Sequence, residues 1–137
     1  MTRRNRKLLI SAGLVVFSVA LRVASDWWEK ALAKPEGTPY ISADGCWRLQ
    51  TFRPFWILPN VFHPQSSPDE TAAPSWFVRW ESAGFFRLYN NRSGQLLGES
   101  EVYELVAWGG PIHWSDRYDR EVRVGMIEVG TTPADCR

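Results

Sequence analysis

Histidine and cysteine are scarce in this chain of 137 residues, with two of each. Two histidines, His63 and His113, and two distant cysteines, Cys46 and Cys136, do not have the ligand spacing of a zinc site, and there is no C-x-x-C pair. The G-x-S-x-G turn of a hydrolase elbow is missing. Gly84, Gly94, Gly98, Gly109 and Gly110 read as turns, not as a phosphate loop. No low-complexity stretch occurs, and no period repeats often enough for a solenoid or propeller. Excess charge is missing as well: 16 Lys and Arg against 15 Asp and Glu leave a formal +1. No basic stripe of the kind that binds nucleic acid is present, so nucleic acid is not expected as a partner.

One long apolar run is present, at residues 8–21, and the cationic cluster Arg3, Arg4, Arg6 and Lys7 precedes it. Basic-then-apolar order is the pattern of an export signal. Its 14 residues match a signal-peptide core, whereas a spanning helix usually needs about 20. Two readings follow. Ser18-Val19-Ala20 fits a small-x-small cleavage site, with the mature chain starting at Leu21. Alternatively the segment stays as a signal anchor reaching Ala24, with Arg22 snorkelling and Trp27 and Trp28 in the interfacial belt. Both leave the cationic end in the cytoplasm and the rest in the periplasm, soluble or anchored in the inner membrane. A buried core helix of a cytosolic protein fits poorly, because the run has no amphipathic period and four cations beside it. Asn5 and Arg6 stand where a twin-arginine signal expects apolar residues, and no cysteine follows the run to carry a lipid.

The expected organisation is a leader at residues 1–25, a linker at 26–39 containing Pro35, Gly37 and Pro39, and one domain at 40–137. Beyond the first 20 residues the balance is 12 cations against 15 acids, so the exported part is mildly acidic. In an oxidising compartment Cys46 and Cys136 are most simply one disulfide. A loop of about 90 residues gives about 4.6 kcal/mol in the chain-entropy model. Eight tryptophans, at 27, 28, 47, 56, 76, 80, 108 and 114, are expected mainly in the core, with two or three exposed.

Short strands with hairpin turns follow along the chain. Asp44-Gly45 turns Tyr40-Ile41 into residues 46–52, where Trp47, Leu49 and Thr51 share a face. A second hairpin joins residues 85–89 to 95–99 through Asn90-Asn91-Arg92-Ser93-Gly94. Further strands are expected at 102–108, 112–114 and 121–129, the last with Val122, Val124 and Met126 on one face. Between the hairpins, residues 55–74 form a Pro-rich loop whose apolar half either folds back over the core or stays exposed; folding back is favoured. The fold class is all-β, a small antiparallel sandwich or half-open barrel of hairpins behind an N-terminal helix.

Chemistry is hard to find. His113 has Ser115 and Asp116 beside it in sequence, but adjacency does not make a triad, and both histidines read as packed or surface residues. Glu99, Glu101 and Glu104 could pair as glycosidase carboxylates, though a solvated face is the default. No catalytic residue, metal or cofactor is expected. Arg79, Trp80, Arg87, Tyr89 and Trp108 are residue types that anchor interfaces, and Asp69 and Glu70 could meet a basic partner.

Ser42-Ala43-Asp44-Gly45-Cys46-Trp47-Arg48-Leu49, Phe86-Arg87-Leu88-Tyr89-Asn90-Asn91-Arg92-Ser93-Gly94, Gln95-Leu96-Leu97-Gly98-Glu99-Ser100, Gly109-Gly110-Pro111-Ile112 and Val124-Gly125-Met126-Ile127 together carry a resemblance. Over about residues 40–136 the chain resembles a family of small exported bacterial proteins of unknown function. Some relatives look like immunity partners of antibacterial toxins, including toxins delivered by type VI secretion. The shared motifs are turns and strands, so the resemblance implies fold more than activity and supplies no catalytic residues. It implies a protein-binding domain that neutralises an envelope-targeting toxin. The alternatives are an accessory envelope protein tethered to the inner membrane, and a small periplasmic hydrolase using His113 and a nearby acid.

Overall fold

A computed structural model describes residues 3–136; Met1, Thr2 and Arg137, at the ends of the expected leader and domain, lie outside it, as does the Arg4 side chain. Helix α1 (Arg3–Ala31) runs 29 residues, with Gly13 as its one glycine and no proline. The stretch Asn5–Ala31 is long and apolar enough to cross a membrane. Its described side chains are exposed up to Ala20, and partial burial starts at Leu21.

The remainder is an antiparallel β structure in two sheets. Strands β1 (Lys34–Ile41), β2 (Trp47–Arg53), β3 (Ala83–Asn90) and β4 (Leu96–Glu99) pair in that order, and β5 (Tyr103–Glu104) pairs with the start of β3. A four-residue helix α2 (Leu105–Trp108) leads to the second sheet, β6 (Ile112–His113), β7 (Glu121–Val124) and β8 (Ile127–Thr131). Among the described residues no strand pairing joins the two sheets, so the barrel alternative does not hold. They face each other across one core. Trp47, Leu49, Phe86 and Leu88 from the first sheet meet Val122, Val124, Ile127 and Val129 from the second. Along β2 and β3 the residues facing this core alternate, and the opposite face is buried as well, where Phe52 and Phe85 pack with Trp80 and Val102 in a second cluster. Cys46 and Cys136 form the expected disulfide, with Cα atoms 5.4 Å apart, and it ties the C-terminal tail to the start of β2.

Both expected hairpins are present. Three expectations need correction. The linker expected at 26–39 is the end of α1 and most of β1. Pro35 and Pro39 are tolerated because β1 is an edge strand, and Gly37, at φ 70°, sits where its register shifts. The strand expected at 102–108 stops after Glu104, whose buried carboxylate accepts the N–H groups of Glu81 (2.7 Å), Ser82 (2.8 Å) and Val106 (3.3 Å) and so caps α2. The strand expected at 121–129 is two strands. Gly125, at φ 58°, turns the chain between Val124 and Ile127, which leaves Met126 exposed at the turn instead of beside Val122 and Val124. Of the tryptophans, Trp47 and Trp80 are buried, and Trp27, Trp28 and Trp76 are exposed.

Candidate functional site

The last ten residues of α1 carry Arg22, Ser25, Asp26, Glu29 and Lys30, spaced so that side chains three and four apart share one face. This face meets the long loop between β2 and β3. The apolar half of that loop divides: Trp56 and His63 fold back, while Phe55 and Phe62 stay exposed. Ser25 is fully buried, and its Oγ accepts the N–H groups of Ile57 (3.0 Å) and Leu58 (3.3 Å). The same Oγ lies 3.3 Å from His63 Nε2. With both lone pairs engaged, its proton is what it can offer the ring. His63 is buried and stacked on Trp56, ring centroids 4.1 Å apart. Trp80 packs edge-on against Trp56 and donates its indole N–H to the His63 carbonyl at 2.9 Å. Trp56 in turn donates to Glu29 Oε2 at 2.6 Å, and the Phe55 N–H donates to the Glu29 carbonyl.

Asp26 Oδ1 lies 3.7 Å from His63 Nδ1, and Asp26 Oδ2 lies 3.3 Å from Arg22 Nε. Burial pushes the His63 pKa below its ordinary value, the Arg22 charge pushes the same way, and Asp26 opposes them. A cavity of about 200 Å³ opens here, lined by Arg22, Asp26, Glu29, Trp56 and His63 among others. Asp26, Glu29 and His63 place one ligand-type atom each within 4.8 Å of one another. Each already has a partner in the chain, with Arg22 supplying a cation. Serine, histidine and aspartate meet here, but a nucleophile must be reachable, and Ser25 is closed off with its oxygen engaged by backbone donors. The cluster is built as a latch between helix and loop.

A second cluster closes the helix end. Lys30 Nζ lies 3.3 Å from Glu99 and 3.4 Å from Glu101, and Arg87 Nε lies 2.5 Å from Glu99. Arg87 also donates to the Lys30 carbonyl at 2.8 Å. Cations at a helix C-terminus satisfy free carbonyls and oppose the dipole there.

The structure scatters the residues expected to bind a partner. Trp80 is buried, and Arg87 is engaged with Glu99 while its guanidinium lies over Phe52 and Phe85. Tyr89 lies beneath Arg48, and Trp108 packs on the core. Arg79, Asp69 and Glu70 are exposed on the long loop. The Asp69 carboxylate accepts the Thr71 N–H and hydroxyl, which lowers its pKa. Glu99, Glu101 and Glu104 serve as ion-pair partners and a cap. His113 lies exposed on β6 and, among the described residues, makes no side-chain hydrogen bond or ion pair. Asp116 accepts the N–H groups of Tyr118 and Asp119 in its own turn. Sequence reasoning missed Ser25, Asp26 and Glu29 by assigning them to the leader's end and a linker. The spacing Arg22, Ser25, Asp26, Glu29, Lys30 is a helical polar stripe that could have disclosed them.

Comparison with protein-family models, with curated proteins and with solved structures gives no match.

Proposed function

We propose that this chain is a membrane-anchored binding domain of the bacterial envelope. In this reading α1 crosses the inner membrane with its cationic end in the cytoplasm, and the disulfide-tied sheets stand in the periplasm. The observation that carries it is the continuity of α1. The helix runs unbroken through Ser18-Val19-Ala20, its stretch Asn5–Ala31 is long and apolar enough to cross a membrane, and its last turns, latched through Ser25, Glu29 and Lys30, join it to the domain. The domain acts by binding a protein and not by chemistry, since the histidines and carboxylates weighed for catalysis serve in packing, caps and ion pairs or stand alone. An apolar cleft of about 400 Å³ between the sheets, lined by Tyr40, Phe86, Leu105, Ile112 and Val124, offers a partner surface. The resemblance suggests the partner: an envelope-targeting toxin that this immunity protein would neutralise.

Two measurements test this. The mass of the protein recovered from membranes should be that of the uncut chain; a product starting at Leu21 would overturn the anchor. A pull-down from cells carrying the native gene neighbourhood should recover a toxin, and loss of the gene should sensitise cells to it. Recovery of membrane assembly components alone would replace immunity with the accessory-protein reading, which shares the anchor.

A further inference from the structure

The apolar run at residues 8–21 spans about 21 Å at 1.5 Å per residue, short of a hydrocarbon layer of about 30 Å. On one side of α1 the apolar surface continues past this limit, through Val16, Val19 and Val23 to Trp27, all exposed. On the other side the helix turns polar at Arg22. There the long loop covers it with aromatic groups. The Phe62 carbonyl accepts from the Arg22 guanidinium, which lies 5.8 Å from the Trp76 ring centroid, and Phe77 adjoins Trp76. These aromatics do not turn into the core: Phe62 is 47 % exposed, Trp76 58 % and Phe77 70 %. Phe77 also holds φ at 57°, a backbone state that bulky residues rarely adopt and that tends to mark functional positions.

We propose that Phe62, Trp76 and Phe77 form a lipid-seating collar that enters the membrane interface beside α1 and fixes the height of the β-domain on the bilayer. This rests on α1 being retained as an anchor. The collar completes an apolar perimeter at the level of Arg22, whose charge is met within the chain by Asp26, the Phe62 carbonyl and the Trp76 ring. Trp at this depth is where the rings of membrane proteins concentrate. The occupant is phospholipid, because the collar adjoins the point where a membrane-length helix enters the domain.

The test uses the full, oxidised chain in vesicles of phosphatidylethanolamine and phosphatidylglycerol. Both native cysteines are closed in the disulfide, so Val16→Cys, Phe77→Cys and Tyr118→Cys each give one site for a bimane label. Quenching by lipids spin-labelled either near the headgroup, for position 77, or deep in the acyl chain, for position 16, is compared with quenching by aqueous iodide. Labels at 16 and 77 should be quenched by lipid and shielded from iodide several-fold relative to 118, which sits on an exposed loop of the second sheet. A label at 77 that behaves like 118, with 16 still quenched by lipid, overturns the collar and leaves the anchor. Failure at 16 overturns the anchor itself. Shielding of 77 from both quenchers means that protein covers the patch and also overturns the proposal. Brominated lipids provide a second readout without a new cysteine: Trp76→Phe should reduce the quenched share of tryptophan emission, and no change counts against the collar.

Discussion

Ser25 Oγ satisfies two backbone donors from the long loop inside the protein and faces a buried imidazole. Removing it leaves the Ile57 and Leu58 N–H groups without that acceptor, and a buried unmet donor costs about 1–3 kcal/mol. Ser25→Ala should therefore lower the unfolding midpoint of the detergent-solubilised protein, by a shift equivalent to about 1–3 kcal/mol of unfolding free energy, whereas Ser18→Ala, on the exposed helix, should leave it unchanged. Equal midpoints for the two variants would show that the latch contributes nothing. His63 adds a pH dependence with a definite sign. Burial and the Arg22 charge hold its pKa below the ordinary 6.5, with Asp26 opposing them. Between the two values the unfolded chain binds the extra proton, so stability falls as pH drops below about 6.5, and the loss due to this group is complete below the folded pKa. A urea midpoint that declines from pH 7.5 to 5.5 in the native chain, and declines less in His63→Gln, would bear this out. Parallel declines would assign the effect to other groups.

Where the two sheets touch, β4 and β8 approach through glycine. A Cβ on Gly98 would fall 2.4 Å from the Val129 carbonyl oxygen and 2.7 Å from Gly130 Cα, both backbone atoms with little room to yield. Gly98→Ala should push the sheets apart and destabilise the domain by about 1–3 kcal/mol, read from chemical denaturation. Gly94→Ala sits in open space but at φ 74°, so its cost would be turn strain without sheet separation. Loss of native hydrogen-exchange protection in β8 for Gly98→Ala and not for Gly94→Ala distinguishes the two. At this scale the sequence was legible where local chemistry decides. Asp44-Gly45 and Asn90 to Gly94 announce their turns, and the alternation of Trp47, Leu49 and Thr51 announces one face of β2. It was illegible where a distant partner decides. Pro35 and Pro39 look like a linker until β2 provides an edge to pair with. Residues 102–108 look like a strand until the Glu104 carboxylate binds the N–H groups of Glu81 and Ser82. The candidate site was hidden for the same reason. His63 shows no function in its own neighbourhood, because its partners lie 37 and 38 residues earlier on α1.

Taken whole, the molecule is a long helix with a small domain clasped to one end, and with that helix as a membrane anchor its orientation would decide whether the disulfide forms. Arg3, Arg4, Arg6 and Lys7 flank the apolar run on one side. On the other, Arg22 is paired with Asp26, and Lys30 with Glu99 and Glu101. Cations retained on the cytoplasmic side set the topology of such a helix, so the four N-terminal cations should hold the domain in the oxidising compartment. Replacing all four by Gln removes that bias without touching the domain. A fraction of the variant should then insert with its domain in the reducing cytoplasm, where Cys46 and Cys136 stay as thiols. Alkylation of denatured, unreduced protein with a polymer-bearing maleimide reads this directly. The native chain should take up none, because both cysteines are bonded to each other, and the inverted fraction should take up two. A variant that stays fully oxidised in the membrane fraction would show that the cluster does not orient the chain. A variant that accumulates reduced, unextracted protein would tie the basic leader, the apolar helix and the Cys46–Cys136 bond into one topological mechanism.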